Sequence, residues 1–167
     1  GIGAYAFLWC GNLTDVIIPE GVVKLNSETF HYCHRLAHVS LPTTLREIGP
    51  RAFALCELLT AITIPAGVTA IGNRAFFRCT SLASIVIPDA VTSLGDEAFT
   101  DCTGLTQATM GRSLGLLGSG TFSGCQTLST VYCKSIAPPL SLDVNGDGEV
   151  NIADINAIIS LVLGVGK

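Results

Sequence analysis

Charged residues are scarce in this sequence, making up 13% of its 167 residues. They include no basic stripe of the kind that follows a phosphate backbone, so we expect no binding to nucleic acid. The sequence also lacks an apolar run of about 18 residues, so we expect no membrane insertion by this chain. An intrinsically disordered chain is excluded as well, because 49% of the residues are hydrophobic and can bury a core.

Catalytic and targeting motifs are missing too. There is no G-x-S-x-G element, no glycine-rich phosphate loop and no pair of carboxylates at a useful spacing, so we expect a protein that is not an enzyme. No signal-peptide pattern is visible. The repeat described below is already in register at Ile2, without the polar cap that such folds need. We therefore expect the sequence to be part of a longer protein.

What the sequence does contain is a repeat with a step of 23 residues. One position of each repeat is phenylalanine: Phe7, Phe30, Phe53, Phe76, Phe99 and Phe122. Three residues later stands cysteine: Cys10, Cys33, Cys56, Cys79, Cys102 and Cys125. With further apolar, proline and glycine positions, the unit reads I-G-x-x-A-F-x-x-C-x-x-L-x-x-I-x-I-P-x-x-V-x-x. A sustained period of this length predicts a solenoid in which each repeat forms one rung.

The parts of the unit predict local structure. L-x-x-I-x-I is rich in β-branched residues at partly alternating positions, which predicts a short strand, and the proline after it ends the strand. The A-F-x-x-C spacing would place its apolar residues on one face of a short helical turn. The glycine that follows the last apolar position suits a tight corner.

This unit resembles the BspA-like leucine-rich repeat of bacterial surface proteins, and the resemblance covers residues 1–138. It implies an α/β fold: a right-handed solenoid of six rungs, with a parallel sheet of one short strand per rung and short helical turns opposite. It also implies a secreted or cell-surface location on a bacterium, and binding to proteins of a host or of bacterial surfaces.

Seven cysteines suggest disulfides or a metal, but the periodicity favours core packing. Six of them share one column of the repeat with apolar neighbours, where a free thiol behaves as a small hydrophobe. Stacked cysteines have parallel Cβ vectors that fit a disulfide poorly. Cys133 stands in an apolar strand column, and we interpret it in the same way. His31, Cys33, His34 and His38 cluster in one rung, but their positions should not converge on a zinc ion.

The repeat ends near Tyr132, and the adjacent Pro138 and Pro139 indicate a stiff linker. We therefore divide the chain into a solenoid (1–136), a linker (137–142) and a tail (143–167). The tail opens with a twelve-residue loop of EF-hand type. Oxygen ligands fall at the calcium-binding positions of that loop: Asp143, Asn145, Asp147, Glu149 (main-chain carbonyl), Asn151 and Asp154. Gly148 at loop position 6 permits the sharp turn, so we expect Ca²⁺ as the cofactor.

The loop D-x-N-x-D-G-x-V-N-x-x-D, with an isoleucine-rich segment after it, resembles a type I dockerin repeat. That resemblance implies docking to a cohesin-like module. Dockerins carry two such loops and this sequence has one, which puts cohesin binding in doubt but not calcium binding. We expect a helix over about 152–163, packed on the last rung, on a second loop beyond this sequence, or on another chain.

Two groups of residues are candidate binding surfaces. One is the outward strand column, which suits a weak and extended contact: Ile17, Ser40, Thr63, Val86, Thr109 and Tyr132. The other is aromatic and lies on the opposite side near the start: Tyr5, Trp9, His31 and Tyr32. Trp9 and Tyr32 hold equivalent positions on adjacent rungs and should stack. These aromatics either carry binding energy or cover an edge that upstream repeats continue.

Two classes of function compete. The first is an adhesin-like interaction module that binds proteins at a cell surface. The second is a scaffold or assembly component of an extracellular, glycan-degrading complex, docked through the calcium tail. A glycan ligand stays open in both.

Overall fold

The structure, a computed structural model, describes residues 2–134, and these residues stack as the expected series of rungs. We number the rungs 1 to 6 by their phenylalanines, from Phe7 to Phe122. The predicted linker (137–142), calcium loop and tail helix lie outside the described residues.

The predicted strand of the unit is present in five of the six rungs. These strands are β1 (Asp15–Ile17), β3 (His38–Ser40), β6 (Ser84–Val86), β8 (Gln107–Met110) and β10 (Thr130–Cys133). They pair in parallel as β1-β3 and β6-β8-β10, and partners differ by one repeat, as Asp15 and His38 do. The central residue points inward, so Ile85 is 1% exposed while Ser84 and Val86 face solvent.

A second parallel ladder, which the sequence analysis missed, runs along the corner of the solenoid. It consists of two-residue strands: β2 (Lys24–Leu25), β4 (Glu47–Ile48), β5 (Ala70–Ile71), β7 (Ser93–Leu94) and β9 (Leu116–Leu117). The five strands pair consecutively in one sheet. Each pair is only two residues long, too short to leave a strand pattern in the sequence, and the corner glycine follows at once.

The prediction of short helical turns, and with it the α/β class, is wrong for residues 2–134, where the structure has strands and turns but no helix. The A-F-x-x-C segment instead alternates between right- and left-handed backbone. In rung 3, Arg51 and Leu55 have φ of 52° and 61°. The N–H groups of Arg51, Phe53 and Leu55 donate to carbonyls of rung 4, while the N–H of Ala54 donates to the carbonyl of Arg51 and closes a four-residue turn. Pairing with the next rung thus replaces the i to i−4 bonds of a helix.

The core is a set of side-chain columns, as predicted. The six phenylalanine rings stack face to face along the solenoid, with centroids 5.1–5.4 Å apart and planes within 13° of parallel. Beside them each thiol from Cys33 to Cys125 donates to the carbonyl of a phenylalanine in the preceding rung, with Sγ–O distances of 3.1–3.3 Å. Burial raises the pKa of Cys79 to about 12 and that of Cys33 to about 11. Such thiols are poor nucleophiles and serve as packing groups.

Two cysteines depart from the buried interpretation. Cys10, in the first described rung, and Cys133, at the end of β10, are exposed. All seven cysteines are free thiols in the structure.

The corner glycines, which the sequence analysis assigned to a tight corner, also allow neighbouring rungs to approach closely. A Cβ on Gly49 would lie 2.6 Å from the carbonyl oxygen of Leu25, and one on Gly72 would lie 2.6 Å from the nitrogen of Pro50. Gly115 is not a corner glycine, since it stands three residues before Gly118, and a Cβ there would lie 3.9 Å from its nearest neighbour, the oxygen of Thr92. Gly49 and Gly72 therefore require glycine for lack of space, whereas Gly115 does not.

We predict that Gly72→Ala lowers the free energy of unfolding by about 1–3 kcal/mol, because the methyl group must push the main chain of rung 3 away from its neighbour. Gly115→Ala is the matched control and should change the free energy of unfolding by less than about 0.5 kcal/mol. Urea denaturation followed by circular dichroism measures both. Equal destabilisation by the two variants would show that the corner spacing is not the constraint.

Rung 3 contributes no strand to the strand ladder, and the sequence pattern does not indicate this. The equivalent segment is Ala61–Thr63, and among residues 2–134 no backbone hydrogen bond involves any of its three residues. The backbone hydrogen bonds between A-F-x-x-C segments, which we call the turn ladder, and the corner ladder both continue through this rung, since Phe53 donates to Ala75 and β4 pairs on both sides. The solenoid is therefore intact on two sides and open on the third. We call this gap the rung-3 opening.

The rung-3 opening makes a direct prediction for amide hydrogen exchange. The amides of residues 61–63 should exchange at least about tenfold faster than those of residues 84–86, because only the latter belong to a paired strand. Exchange followed by NMR in the intact chain measures the ratio. Equal protection of the two segments would mean that the strand ladder is continuous in solution.

Candidate interaction surfaces

The outward residues of the strand ladder form one surface, which we call the strand face. It comprises two columns of the repeat. The first is Asp15, His38, Ala61, Ser84, Gln107 and Thr130, and the second is Ile17, Ser40, Thr63, Val86, Thr109 and Tyr132. The predicted outward orientation is confirmed for β1, β3 and β6, where both flanking residues are exposed. Thr109 and Thr130 are half-buried.

The side chains of the strand face are mostly small, and few of them are charged. Asp15 is its only formally charged residue, although the sequence has charges throughout the repeats. Ile17 is 84% exposed, and Val86 and Tyr132 are also largely exposed in the same column. Depletion of charge at the centre of a surface patch is typical of protein interfaces. An isolated exposed apolar residue is common on any protein surface and does not by itself indicate an interface.

A shallow hollow of about 390 Å³ lies on this face over rungs 1 to 3. Its rim includes Ile17, His38, Ser40 and Thr63, and the inward residues Val39 and Ile62 reach its floor. Those two side chains are half-buried, whereas Ala108 in the same column is fully buried. The rung-3 opening therefore exposes part of the core to the strand face.

The aromatic group lies on the side of the solenoid formed by the A-F-x-x-C segments, which we call the turn side. Trp9 and Tyr32 stack as predicted, with centroids 3.9 Å apart and planes 6° from parallel, and His31 lies 4.7 Å from the Tyr32 ring. Trp9 and Tyr5 are exposed, while His31 and Tyr32 are half-buried. Tyr5 does not join the stack. It borders a separate polar hollow that Glu28 and Arg51 also line.

Outside the strand face, on the turn side and elsewhere, most charges form ion pairs between residues one repeat apart. These pairs are Lys24–Glu47 (2.7 Å), Glu28–Arg51 (3.1 Å), Arg74–Glu97 (2.9 Å), Arg78–Asp101 (3.2 Å) and Asp89–Arg112 (3.1 Å). A hydrogen bond from His31 lowers the pKa of Glu28, and Arg51 adds to the effect. A hydrogen bond from Arg74 likewise lowers the pKa of Glu97. Because these charges neutralise one another, the turn side offers little net field to a partner.

The histidines of rung 2 do not gather around a common point. Nδ1 of His31 donates to the Glu28 carboxylate at 3.0 Å, while His34 packs over Gly11 and His38 lies on the strand face. Within residues 2–134 there is no group of three side chains suited to hold a metal ion. The predicted calcium ligands lie outside the described residues.

Two features of these surfaces were not predicted from the sequence. One is the rung-3 opening with Val39 and Ile62, for which the sequence carries no recognisable pattern. The other is the contact of Arg74 and Arg78 with the Phe77 ring, at 5.8 and 5.3 Å from its centroid. The spacing of those arginines on either side of Phe77 could have indicated it. Separately, the part of the chain that the structure describes contains no helix long and apolar enough to cross a lipid bilayer.

Similar proteins with known structures share this architecture. A leucine-rich repeat protein from Bacteroides ovatus is 33% identical, with a TM-score of 0.71 over 77% of this chain and 33% of its own. A T. pallidum leucine-rich repeat protein is 26% identical, with a TM-score of 0.68 over 92% of this chain and 86% of its own. The pneumococcal vaccine antigen PcpA, at 24% identity and a TM-score of 0.63, shares the fold. The chain thus spans about a third of the Bacteroides protein.

A comparison with curated proteins gives no match. A comparison with models of protein families agrees with the structural comparison. The model of the BspA type leucine-rich repeat region matches residues 1–129 in six copies. That match covers most of the chain and agrees with the number of phenylalanine–cysteine repeats, so the chain belongs to the BspA-type leucine-rich repeat family.

Proposed function

We propose that this chain is a non-enzymatic protein-interaction module that acts at the surface of a bacterium or after secretion, and that the strand face is its binding surface. The observation that carries the proposal is the distribution of charge. The strand face holds one formal charge among twelve positions, whereas the turn side pairs its charges internally. A partner can therefore bind the strand face without desolvating ion pairs, and so avoids the free-energy penalty of that desolvation.

The chemistry of the strand face suits a protein partner. Its exposed apolar side chains are separated by hydroxyl residues. A partner would therefore bury a modest apolar area and form hydrogen bonds with the hydroxyl groups that lie between the apolar side chains. The surface extends over all six rungs, and each rung adds about 4.8 Å to its length. This geometry favours an extended, adhesin-like contact with a host or bacterial surface protein over capture of a small ligand.

The strand face can be tested with matched pairs of exposed apolar residues. Ile17→Glu combined with Val86→Glu places two carboxylates on the strand face, where the parent residues are 84% and 52% exposed. Val23→Glu combined with Leu116→Glu does the same away from it, at residues 54% and 69% exposed. Binding of the labelled protein to bacterial and epithelial cells, with and without protease treatment of the cells, gives the readout.

We expect the strand-face variant to weaken protease-sensitive binding at least about tenfold, since burying a carboxylate in an interface costs more than the 1.4 kcal/mol that a tenfold change represents. The control variant should bind as the parent does. Equal losses in both variants would place the interface elsewhere. Binding that survives protease but not glycosidase treatment would identify a glycan as the ligand instead.

The tail supports a second part of the proposal, that residues 143–154 bind one Ca²⁺ ion. The support comes from the sequence: side-chain or main-chain oxygens stand at loop positions 1, 3, 5, 7, 9 and 12, with glycine at 6. Such a tail would let the chain serve as a component of an extracellular complex, docked to a cohesin-like module.

Titration calorimetry tests the calcium loop. Ca²⁺ should bind with a stoichiometry of one and approach saturation by roughly 1 mM. Asp147→Ala should abolish the heat, because it removes the ligand at loop position 5. Ser141→Ala, just outside the loop, should leave it unchanged. No heat from the parent protein at millimolar Ca²⁺ would refute calcium binding by this segment.

A further inference from the structure

The rung-3 opening differs from the rest of the strand face in the state of its main chain. In β1, β3, β6, β8 and β10 each strand pairs with a neighbouring rung. The three N–H and three C=O groups of Ala61–Thr63 have no partner within residues 2–134. On an exposed surface such groups are hydrated, and they remain available to a ligand that offers both donors and acceptors.

The opening also differs in what lies beneath it. Val39 and Ile62 belong to the inward column and are half-buried here, whereas Ile85 and Ala108 of the same column are fully buried. The other half-buried members of the column among residues 2–134, Val16 and Val131, lie in the first and last rungs. The hollow of about 390 Å³ above Val39 and Ile62 has aliphatic side chains on its floor and Ile17 on its rim. It is large enough for one aliphatic side chain with the peptide groups on either side of it.

The lining of the hollow discriminates between classes of ligand. It contains no arginine or lysine and has Asp15 at its edge, which disfavours an anion. It contains no Phe, Tyr or Trp ring on which a sugar could stack. A peptide segment needs neither a cationic side chain nor an aromatic ring from the site. Its main chain supplies donors and acceptors together, and its side chain fills the apolar floor.

We propose that the rung-3 opening is a specific binding site for an extended peptide segment of a protein partner, which inserts one aliphatic side chain over Val39 and Ile62 and pairs its main chain with Ala61–Thr63. The site rests on the proposed function, since it names what the strand face recognises. It also assigns a role to rung 3, whose strand segment alone is unpaired among the rungs of residues 2–134.

The smallest probe that carries this chemistry is N-acetyl-leucine N-methylamide, which has one aliphatic side chain between two peptide groups. Its control is N-acetylglycine N-methylamide, which has the peptide groups alone. Titration of each into the intact, isotope-labelled chain, followed by ¹H–¹⁵N NMR, reports binding residue by residue. We expect saturable shifts confined to residues 61–63 and their neighbours around Val39, with the leucine probe at least about tenfold tighter than the glycine probe.

Two variants locate the site. Ser40→Arg places a long side chain on the rim and should abolish the saturable shifts. Thr109→Arg is its control in the same column, three rungs further on, where β8 is paired on both sides. It should bind the leucine probe as the parent does.

The outcomes separate this inference from the proposed function. If the leucine probe causes no saturable shift, or binds no better than the glycine probe, the opening is not a peptide-binding site and the inference is overturned. In that case the loss of cell binding by the Ile17→Glu and Val86→Glu variant would still support the strand face as the interface. If that variant also binds cells normally, both proposals fail.

Discussion

Each rung of this protein must place its main chain against the same positions of the next rung, and every other feature depends on that constraint. Three ladders of backbone hydrogen bonds meet it: the strands, the two-residue corner strands and the left-handed turns. Their common register of 23 residues brings each side chain against its own column. The stacked phenylalanines and the thiol-to-carbonyl bonds follow from that register, because identical side chains are repeated at the spacing of the rungs.

The turn ladder shows why the sequence predicted the core but not the backbone. Burial of the Phe and Cys columns follows from periodicity alone, so it could be predicted. The left-handed positions are occupied in most rungs by residues such as Tyr32, Arg51 and Leu55, which rarely adopt a positive φ and cost about 1–3 kcal/mol each there. Bonds to the next rung offset that cost, and they form only in the stack. The last rung alone gives an indication, with glycines at both left-handed positions, Gly120 and Gly124.

The opening at rung 3 could not have been predicted in the same way. Its strand segment, Ala61–Thr63 followed by Ile64 and Pro65, has nearly the same pattern as Ser84–Val86 followed by Ile87 and Pro88. One segment is unpaired and the other forms β6. The difference therefore arises from how neighbouring rungs pack and not from local strand propensity, which is known to depend on context.

A repeating surface has a difficulty of its own, because a partner that fits one rung can slide to the next. If the rungs of the strand face were identical, a bound segment would have several registers of equal energy, separated by one rung spacing of about 4.8 Å. The outward column avoids this, since Ile17, Val86 and Tyr132 stand at unequal intervals among hydroxyl residues. The unpaired main chain of rung 3 adds a site that occurs once within the described rungs. With the turn-side charges neutralised in pairs, long-range steering is weak, and specificity must come from these local departures from the repeat.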